Sequence, residues 1–95
     1  MSSSAHWRSV NFSSLMIEEW NEEFTVFQPD SGKTHFLNLM SMRIISSLNQ
    51  SCASTEAIGQ LIARQFQLTF NEDFSSHIHE ILRRFETLGL IEKIK

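Results

Sequence analysis

A turn-forming tetrapeptide between two segments of strand-like composition limits the folds open to this chain. Residues 23–28 (Glu-Phe-Thr-Val-Phe-Gln) are rich in aromatic and β-branched side chains, which favour a pleated, half-buried surface. The next four residues, Pro29-Asp30-Ser31-Gly32, suit a turn because proline fixes φ and glycine accepts a positive φ. Residues 33–37 have the composition of a returning strand. The pattern predicts a β-hairpin with a four-residue loop.

The segment before the hairpin, residues 1–22, is less regular. Trp7–Val10 and Leu15–Ile17 are both candidate short strands, and Ser13-Ser14 between them indicates a turn. A strand from this region beside the hairpin would complete a small three-stranded antiparallel sheet.

Three segments after the hairpin have the apolar periodicity of helices. The first runs from Leu39 to Leu48 with Asn38 as its N-cap, and a polar link over residues 49–53 follows it. Ser54 is placed to cap the second helix, and Asn71 or Asp73 to cap the third. The core-facing positions of the three helices are, in order, Met42, Ile45 and Leu48; Ile58, Leu61, Ile62 and Phe66; and Phe74, Ile78, Ile81, Leu82, Phe85 and Leu88.

The third helix is expected to end at Gly89 in a left-handed conformation, and Ile91–Ile94 to form a short final strand. Strands therefore precede helices, which predicts an α+β fold: winged-helix-like, with a small antiparallel three-stranded sheet followed by a three-helix bundle. At 95 residues, with 41% apolar and 20% charged residues, the chain is expected to form one globular domain over residues 1–95.

Composition argues against several classes of protein. The net charge of −3 lacks the basic footprint of a protein that binds phosphates non-specifically. No apolar run is long enough to span a membrane, and Met1-Ser2-Ser3-Ser4-Ala5 does not resemble a secretory signal. The single cysteine, Cys52, cannot form an internal disulfide, so a cytoplasmic location is expected.

The cysteine, histidine and glycine residues of this chain form no recognisable catalytic, metal-binding or phosphate-binding motif, so no enzyme activity and no cofactor are predicted. Cys52 has no charged neighbour in sequence that would favour a thiolate. His77 and His79 lie two residues apart, which on a helix directs them about 200° from each other and disfavours a shared metal. Gly32, Gly59 and Gly89 are too far apart for a phosphate-binding loop.

An acidic cluster surrounds Trp20. Its members are Glu18, Glu19, Glu22 and Glu23. The more common explanation of such a cluster is a solvent-exposed surface without a binding role. The more specific functional hypothesis is a patch that recognises basic residues.

The hairpin and the end of the third helix together resemble PqqD-like proteins. The similarity is carried by Trp20, Phe24-Thr25-Val26-Phe27, Ser31-Gly32, Thr34-His35, Leu37-Asn38 and Phe85-Glu86-x-Leu88-Gly89-Leu90-Ile91. Residues 31–38 match the Ser-Gly-x-Thr-His-x-Leu-Asn hairpin of the branch called HPr-rel-A system PqqD family peptide chaperones. The resemblance extends roughly from Trp7 to Ile91.

The resemblance implies a domain of the RiPP recognition element type. In such domains a leader peptide adds as a strand to the edge of the hairpin's second strand and packs against the third helix. Carried over by position, the peptide-binding residues are Thr34, His35, Phe36 and Leu37 on the strand, and Ile78, Ile81, Leu82 and Phe85 on the helix. For each of the four helix residues, burial in the core is the alternative explanation. The implied partners are a leader or substrate peptide and either a modifying enzyme or an HPr-kinase-like protein.

Three other hypotheses stay open, and one of them, an obligate subunit that only scaffolds a larger enzyme, is compatible with peptide binding. Three helices and a hairpin also describe a winged-helix DNA-binding regulator, and the third helix carries Arg83 and Arg84. Its first turn, however, is Asn71-Glu72-Asp73, whose carboxylates repel phosphates. An exposed edge strand containing Phe36 and Leu37 also predicts edge-to-edge homodimers at high concentration.

Overall fold

The computed structural model describes residues 5–94, which fold into two short antiparallel sheets and three helices. The α+β class predicted from the sequence is confirmed. The elements, in chain order, are β1 (His6–Ser9), a 3-10 turn (Phe12–Ser14), β2 (Met16–Trp20), β3 (Glu23–Gln28), β4 (Lys33–Asn38), α1 (Leu39–Gln50), β5 (Ala53–Ser54), α2 (Thr55–Gln65), α3 (Glu72–Thr87) and β6 (Ile91–Ile94).

The larger sheet has the strand order β2-β3-β4 and contains the predicted hairpin. β3 and β4 pair from Gln28↔Lys33 to Glu23↔Asn38, so residues 29–32 are the loop. Gly32 has a φ of +73°, as the turn composition predicts, and its amide donates to the Gln28 carbonyl at 2.8 Å. β2 covers Met16–Trp20 rather than 15–17, because Glu18, Glu19 and Trp20 continue the pairing with β3.

The smaller sheet joins the two ends of the described chain in the order β5-β1-β6. β1 pairs with β6 from His6↔Ile94 to Ser9↔Ile91. The side chain of Trp7 is fully buried, and its indole Nε1 donates to Thr55 Oγ1 at 2.9 Å. The final strand at Ile91–Ile94 and a short strand near Trp7–Val10 were both predicted from the sequence, whereas their pairing with each other was not.

Each helix begins at a predicted capping residue. The Asn38, Ser54 and Asn71 side chains accept from the amides of Ser41, Ala57 and Phe74, at 2.8, 3.1 and 2.8 Å. These bonds satisfy amides that have no partner inside the helix.

The ends of the helices differ slightly from the sequence expectation. α1 continues through Asn49 and Gln50, so the predicted polar link is shorter than residues 49–53, and Ala53 belongs to β5. The Ser51 amide still donates to the Ser47 carbonyl, which extends the helical hydrogen bonding past Leu48. α3 ends as predicted, with Gly89 at a φ of +78°.

The buried apolar side chains form one cluster between the larger sheet and the helices, to which β1 contributes Trp7. The cluster consists of Trp7, Val26, Leu37, Met42, Ile44, Ile45, Leu48, Ile58, Ile62, Ile78, Leu82, Phe85, Leu90 and Ile91.

No helix within residues 5–94 is long and apolar enough to cross a membrane.

Candidate functional site

β4 is an edge strand of the larger sheet. One side pairs with β3, and no other described strand pairs with its second side. Its side chains alternate: His35 and Leu37 are buried towards the core, while Thr34 and Phe36 face outward. Phe36 is 77% exposed, the largest value among the exposed apolar side chains of the described residues. An unpaired edge with this alternation can accept an added strand, because its outward-directed amides and carbonyls are free to bond.

The two edges of this sheet differ in charge. β2, at the other edge, carries Glu18 and Glu19 in its middle. Residues 34–38 of β4 carry no acidic or basic side chain other than His35. Charged side chains are a common means of keeping an edge from pairing, so β4 is the less protected of the two.

The four helix residues predicted for the site lie on α3 with different exposure. Ile78, Leu82 and Phe85 are at most 1% exposed and belong to the core cluster. Ile81 is half-buried and packs against the edge of that cluster. Ile81 is thus the member of the four with side-chain surface available to a ligand.

Ile81 belongs to a flank of α3 beside the buried stripe. Phe74, Ile81 and Leu88 recur every seven residues, which places them along one line of the helix, and all three are half-buried. The last of them, Leu88, lies at the end of α3 that contacts the hairpin.

A buried polar network connects the hairpin to that end of α3. Gln28 Nε2 donates to the carbonyls of Leu88 and Gly89, both at 3.3 Å. Its Oε1 lies 2.7 Å from His35 Nε2 and accepts from Ser31 Oγ at 3.1 Å. Because an amide oxygen can only accept, His35 must hold a proton on Nε2. The network sets where β4 lies relative to α3.

The environment of His35 favours the uncharged imidazole. Burial lowers the pKa of His35 below its usual 6.5, and the positive charge of Lys33 lowers it further. The neutral ring with its proton on Nε2 satisfies Gln28 Oε1 without placing a cation in the core.

Sequence reasoning missed Gln28 as a site-forming residue. The available signal was its phase: Gln28 lies two positions after Val26 in β3, so both side chains point to the same, core-facing side. A polar residue in a core-facing phase requires a partner, but the sequence does not identify the Leu88 and Gly89 carbonyls as that partner.

The other residues considered from the sequence are dispersed. Cys52 is exposed and unpaired. His77 and His79 are both exposed on α3, and residues 5–94 contain no cluster of three or more metal-binding side chains. The acidic cluster is divided by the sheet: the pairing register places Glu18 and Glu23 on one face and Glu19 on the other.

Comparison with known proteins gives a match at the level of structure. No family model and no curated protein sequence matches the chain. A solved structure, TbiB1 in complex with the TbiA(beta) leader peptide, is similar to it with a TM-score of 0.70 and 16% sequence identity. The similarity covers 93% of this chain and 98% of that one, so the two share a fold over nearly their whole length.

Proposed function

We propose that this protein is a non-catalytic peptide-binding module in which an extended leader or substrate peptide adds as a strand to the open edge of β4. The observation that carries the proposal is that edge: an unpaired strand with an uncharged run at Thr34–Leu37 and an outward-facing, exposed Phe36. In this mode the main-chain hydrogen bonds give affinity and the alternate side chains give selectivity.

The shared fold supports a peptide as the ligand. TbiB1 was solved with a leader peptide bound, and its fold matches this chain over 93% of the residues. The hairpin motif at residues 31–38 supports a finer assignment, to the PqqD-like proteins of the RiPP recognition element type. On that assignment a modifying enzyme or an HPr-kinase-like protein would use the bound peptide.

The peptide would also contact α3, because one face of an added strand is directed to the core side of the sheet. We assign that contact to Ile81, whose side chain is half-buried. Ile78, Leu82 and Phe85 would hold the helix in place from within the core. The alternative of a DNA-binding regulator gains no support, because the first turn of α3 carries Glu72 and Asp73.

The proposal is tested with peptides selected from a displayed random library, followed by amide hydrogen exchange on the complex. An added strand bonds to alternate residues of its neighbour, so protection should appear at every second amide of residues 33–38. The amides of β2, at the opposite edge, should exchange as they do in the free protein. Protection at β2, or at neither edge, would contradict strand addition even if the peptide binds.

Methylation of the peptide's own amides supplies a matched control. Alternate amides of the peptide point to β4, so one set of alternate N-methyl groups removes the inter-strand hydrogen bonds and the other does not. We expect a parent affinity in the micromolar range, about −8 kcal/mol, since ordering a flexible peptide opposes binding. If the first set removes about three bonds at about 0.5–1.5 kcal/mol each, binding should weaken by at least about tenfold. Equal effects of the two sets would exclude a main-chain mechanism.

A further inference from the structure

The larger sheet has a second face, directed away from the core, which we call the outer face. The pairing register assigns residues to it. Met16, Phe27 and Thr34 lie in one row, Glu18, Thr25 and Phe36 in the next, and Trp20 pairs with Glu23. The opposite face contains the buried Val26, His35 and Leu37.

The outer face exposes three large apolar side chains to solvent. Met16, Trp20 and Phe36 are 63%, 62% and 77% exposed. A depression of about 630 Å³ lies beside Met16 and is lined by Met16, Ile17, Glu18, Thr25 and Phe27. Grouped apolar side chains with a polar rim are typical of interaction surfaces.

The charges around this surface are predominantly negative. Residues 16–38 contain five carboxylates and a single lysine. Lys33 pairs with Gln28 at the far end of the hairpin, on the core-facing side. Glu18 and Glu23 lie on the outer face itself, next to Thr25 and Trp20.

The turn between β2 and β3 fixes the position of Trp20. Asn21 and Glu22 both have positive φ values, 49° and 67°, which is the conformation of a two-residue hairpin turn. Trp20 and Glu23 are therefore cross-strand partners that place an indole and a carboxylate side by side.

We propose that the outer face docks a cationic, amphipathic segment of a partner protein, whose apolar side chains cover Met16 and Trp20 while its lysine or arginine side chains pair with Glu18 and Glu23. Charge complementarity selects this occupant. A second copy is disfavoured, because two outer faces brought together would oppose carboxylates with no basic side chain between them. Phe36 adjoins both surfaces, but the cationic segment contacts side chains of β2 and β3, whereas a peptide added to β4 bonds to the outward-directed main chain of residues 34–37.

Quenching of Trp20 fluorescence by acrylamide tests the proposal, because Trp7 is fully buried and Trp20 is 62% exposed. The probe is a synthetic amphipathic Leu/Lys peptide. The controls are the same peptide with glutamate in place of lysine and a scrambled Leu/Lys peptide without an apolar face. We expect the Leu/Lys peptide alone to protect Trp20 and to shift the amides of residues 16–27. Equal protection by the glutamate peptide would overturn the charge selection.

Two double variants with the same net charge separate docking from general attraction. Glu18→Lys with Glu23→Lys reverses the charges of the outer face, whereas Glu80→Lys with Glu86→Lys reverses two exposed charges on α3. Loss of two attractions and gain of two repulsions should weaken binding by about tenfold in the first variant only. Equal weakening in both would overturn the proposal.

Two further outcomes would assign the face to another occupant and so overturn the proposal. One is protection of Trp20 that rises with the concentration of the protein alone, which would indicate a second copy. The other is protection by neutral phosphatidylcholine vesicles, which would indicate a lipid surface. Since the amides of residues 34–37 report on the β4 edge, failure here and failure of the proposed peptide site are measured separately.

Discussion

Gln28 and His35 form the only buried polar pair among the described residues, and every buried side-chain nitrogen and oxygen there has a hydrogen-bond partner. A buried polar network stabilises a fold only when all its members are satisfied. The network joins the hairpin to Leu88 and Gly89, which directly follow α3, so its loss would loosen two elements at once.

The lowered pKa of His35 predicts that the fold loses stability in mild acid. Because the folded-state pKa lies below the unfolded value of 6.5, the unfolded chain binds more protons in the window between the two. The contribution of His35 is therefore fully present above pH 6.5 and is lost as the pH falls through the folded-state value.

The free energy of unfolding by denaturant, measured between pH 7 and pH 5 for the unmodified protein and two variants, tests this effect. His35→Gln, which cannot be protonated, should lose less stability over that range than the unmodified protein. The matched control, His79→Gln at an exposed position of α3, should behave as the unmodified protein does. If all three lose stability in parallel, burial of the imidazole has no energetic consequence.

The single-residue signals that sequence analysis interpreted correctly are local ones. Gly32 has the positive φ that the turn demands, and Asn38, Ser54 and Asn71 cap the helices they precede. Each of these roles depends on the neighbouring three or four residues alone. Gln28 differs because two of its partners, the carbonyls of Leu88 and Gly89, lie about 60 positions away in sequence.

At the level of elements, β1 is a four-residue strand held largely by one side chain. Trp7 fills the core, donates to Thr55 Oγ1, and has the Lys93 ammonium 5.5 Å from its ring centre. Ser9 Oγ adds a bond to the Ile45 carbonyl at 2.6 Å. Together with Ile91 of β6, the aromatic ring of Trp7 thus attaches the smaller sheet to the core.

Truncation of the two tryptophans should therefore have unequal effects. Trp7→Ala removes a fully buried ring and should destabilise the fold by about 3–5 kcal/mol. Trp20→Ala removes an exposed one and should change the free energy of unfolding by no more than about 0.5 kcal/mol. Urea unfolding followed by circular dichroism gives both values. Similar losses would mean that β1 is not anchored by Trp7.

Helical periodicity predicted where the helices lie, but it did not predict how exposed each of their side chains is. The stripe of α3 was recognised from the sequence, yet Ile78 and Ile81 received the same role although one is fully buried and the other half-buried. The difference depends on which neighbours cover each side of the helix, and those neighbours come from other parts of the chain. For the same reason β5, with two residues, has no pattern of its own and exists because it pairs with β1.

On the scale of the whole molecule, both edges of the larger sheet are unpaired within the described residues. Beyond Lys33 at its first position, the β4 edge lacks the charges that protect the middle of β2, so two molecules can pair edge to edge. The area buried by one pair of strands is small, and such contacts are weak.

We therefore expect a concentration-dependent dimer that becomes detectable as the protein approaches millimolar concentration. Sedimentation velocity over a concentration series would show the average mass rising. Phe36→Lys should suppress the dimer because it places a charge on the edge strand, whereas Leu68→Lys, at another exposed apolar residue, should not. A protein that stays monomeric throughout the series would contradict an accessible edge.

The pairing of β1 with β6 has a consequence for the order in which the chain folds. The side chains of Arg8 and Glu92 meet across this ladder although they lie 84 positions apart. The hairpin and the helices form from near neighbours, whereas this ladder must close a loop almost as long as the chain. The burial of Trp7 and Ile91 helps to offset the entropic cost of that closure. The smaller sheet should accordingly be the last part to form and the first to open, so that residues 6–9 and 91–94 separate together while the hairpin that carries β4 stays folded.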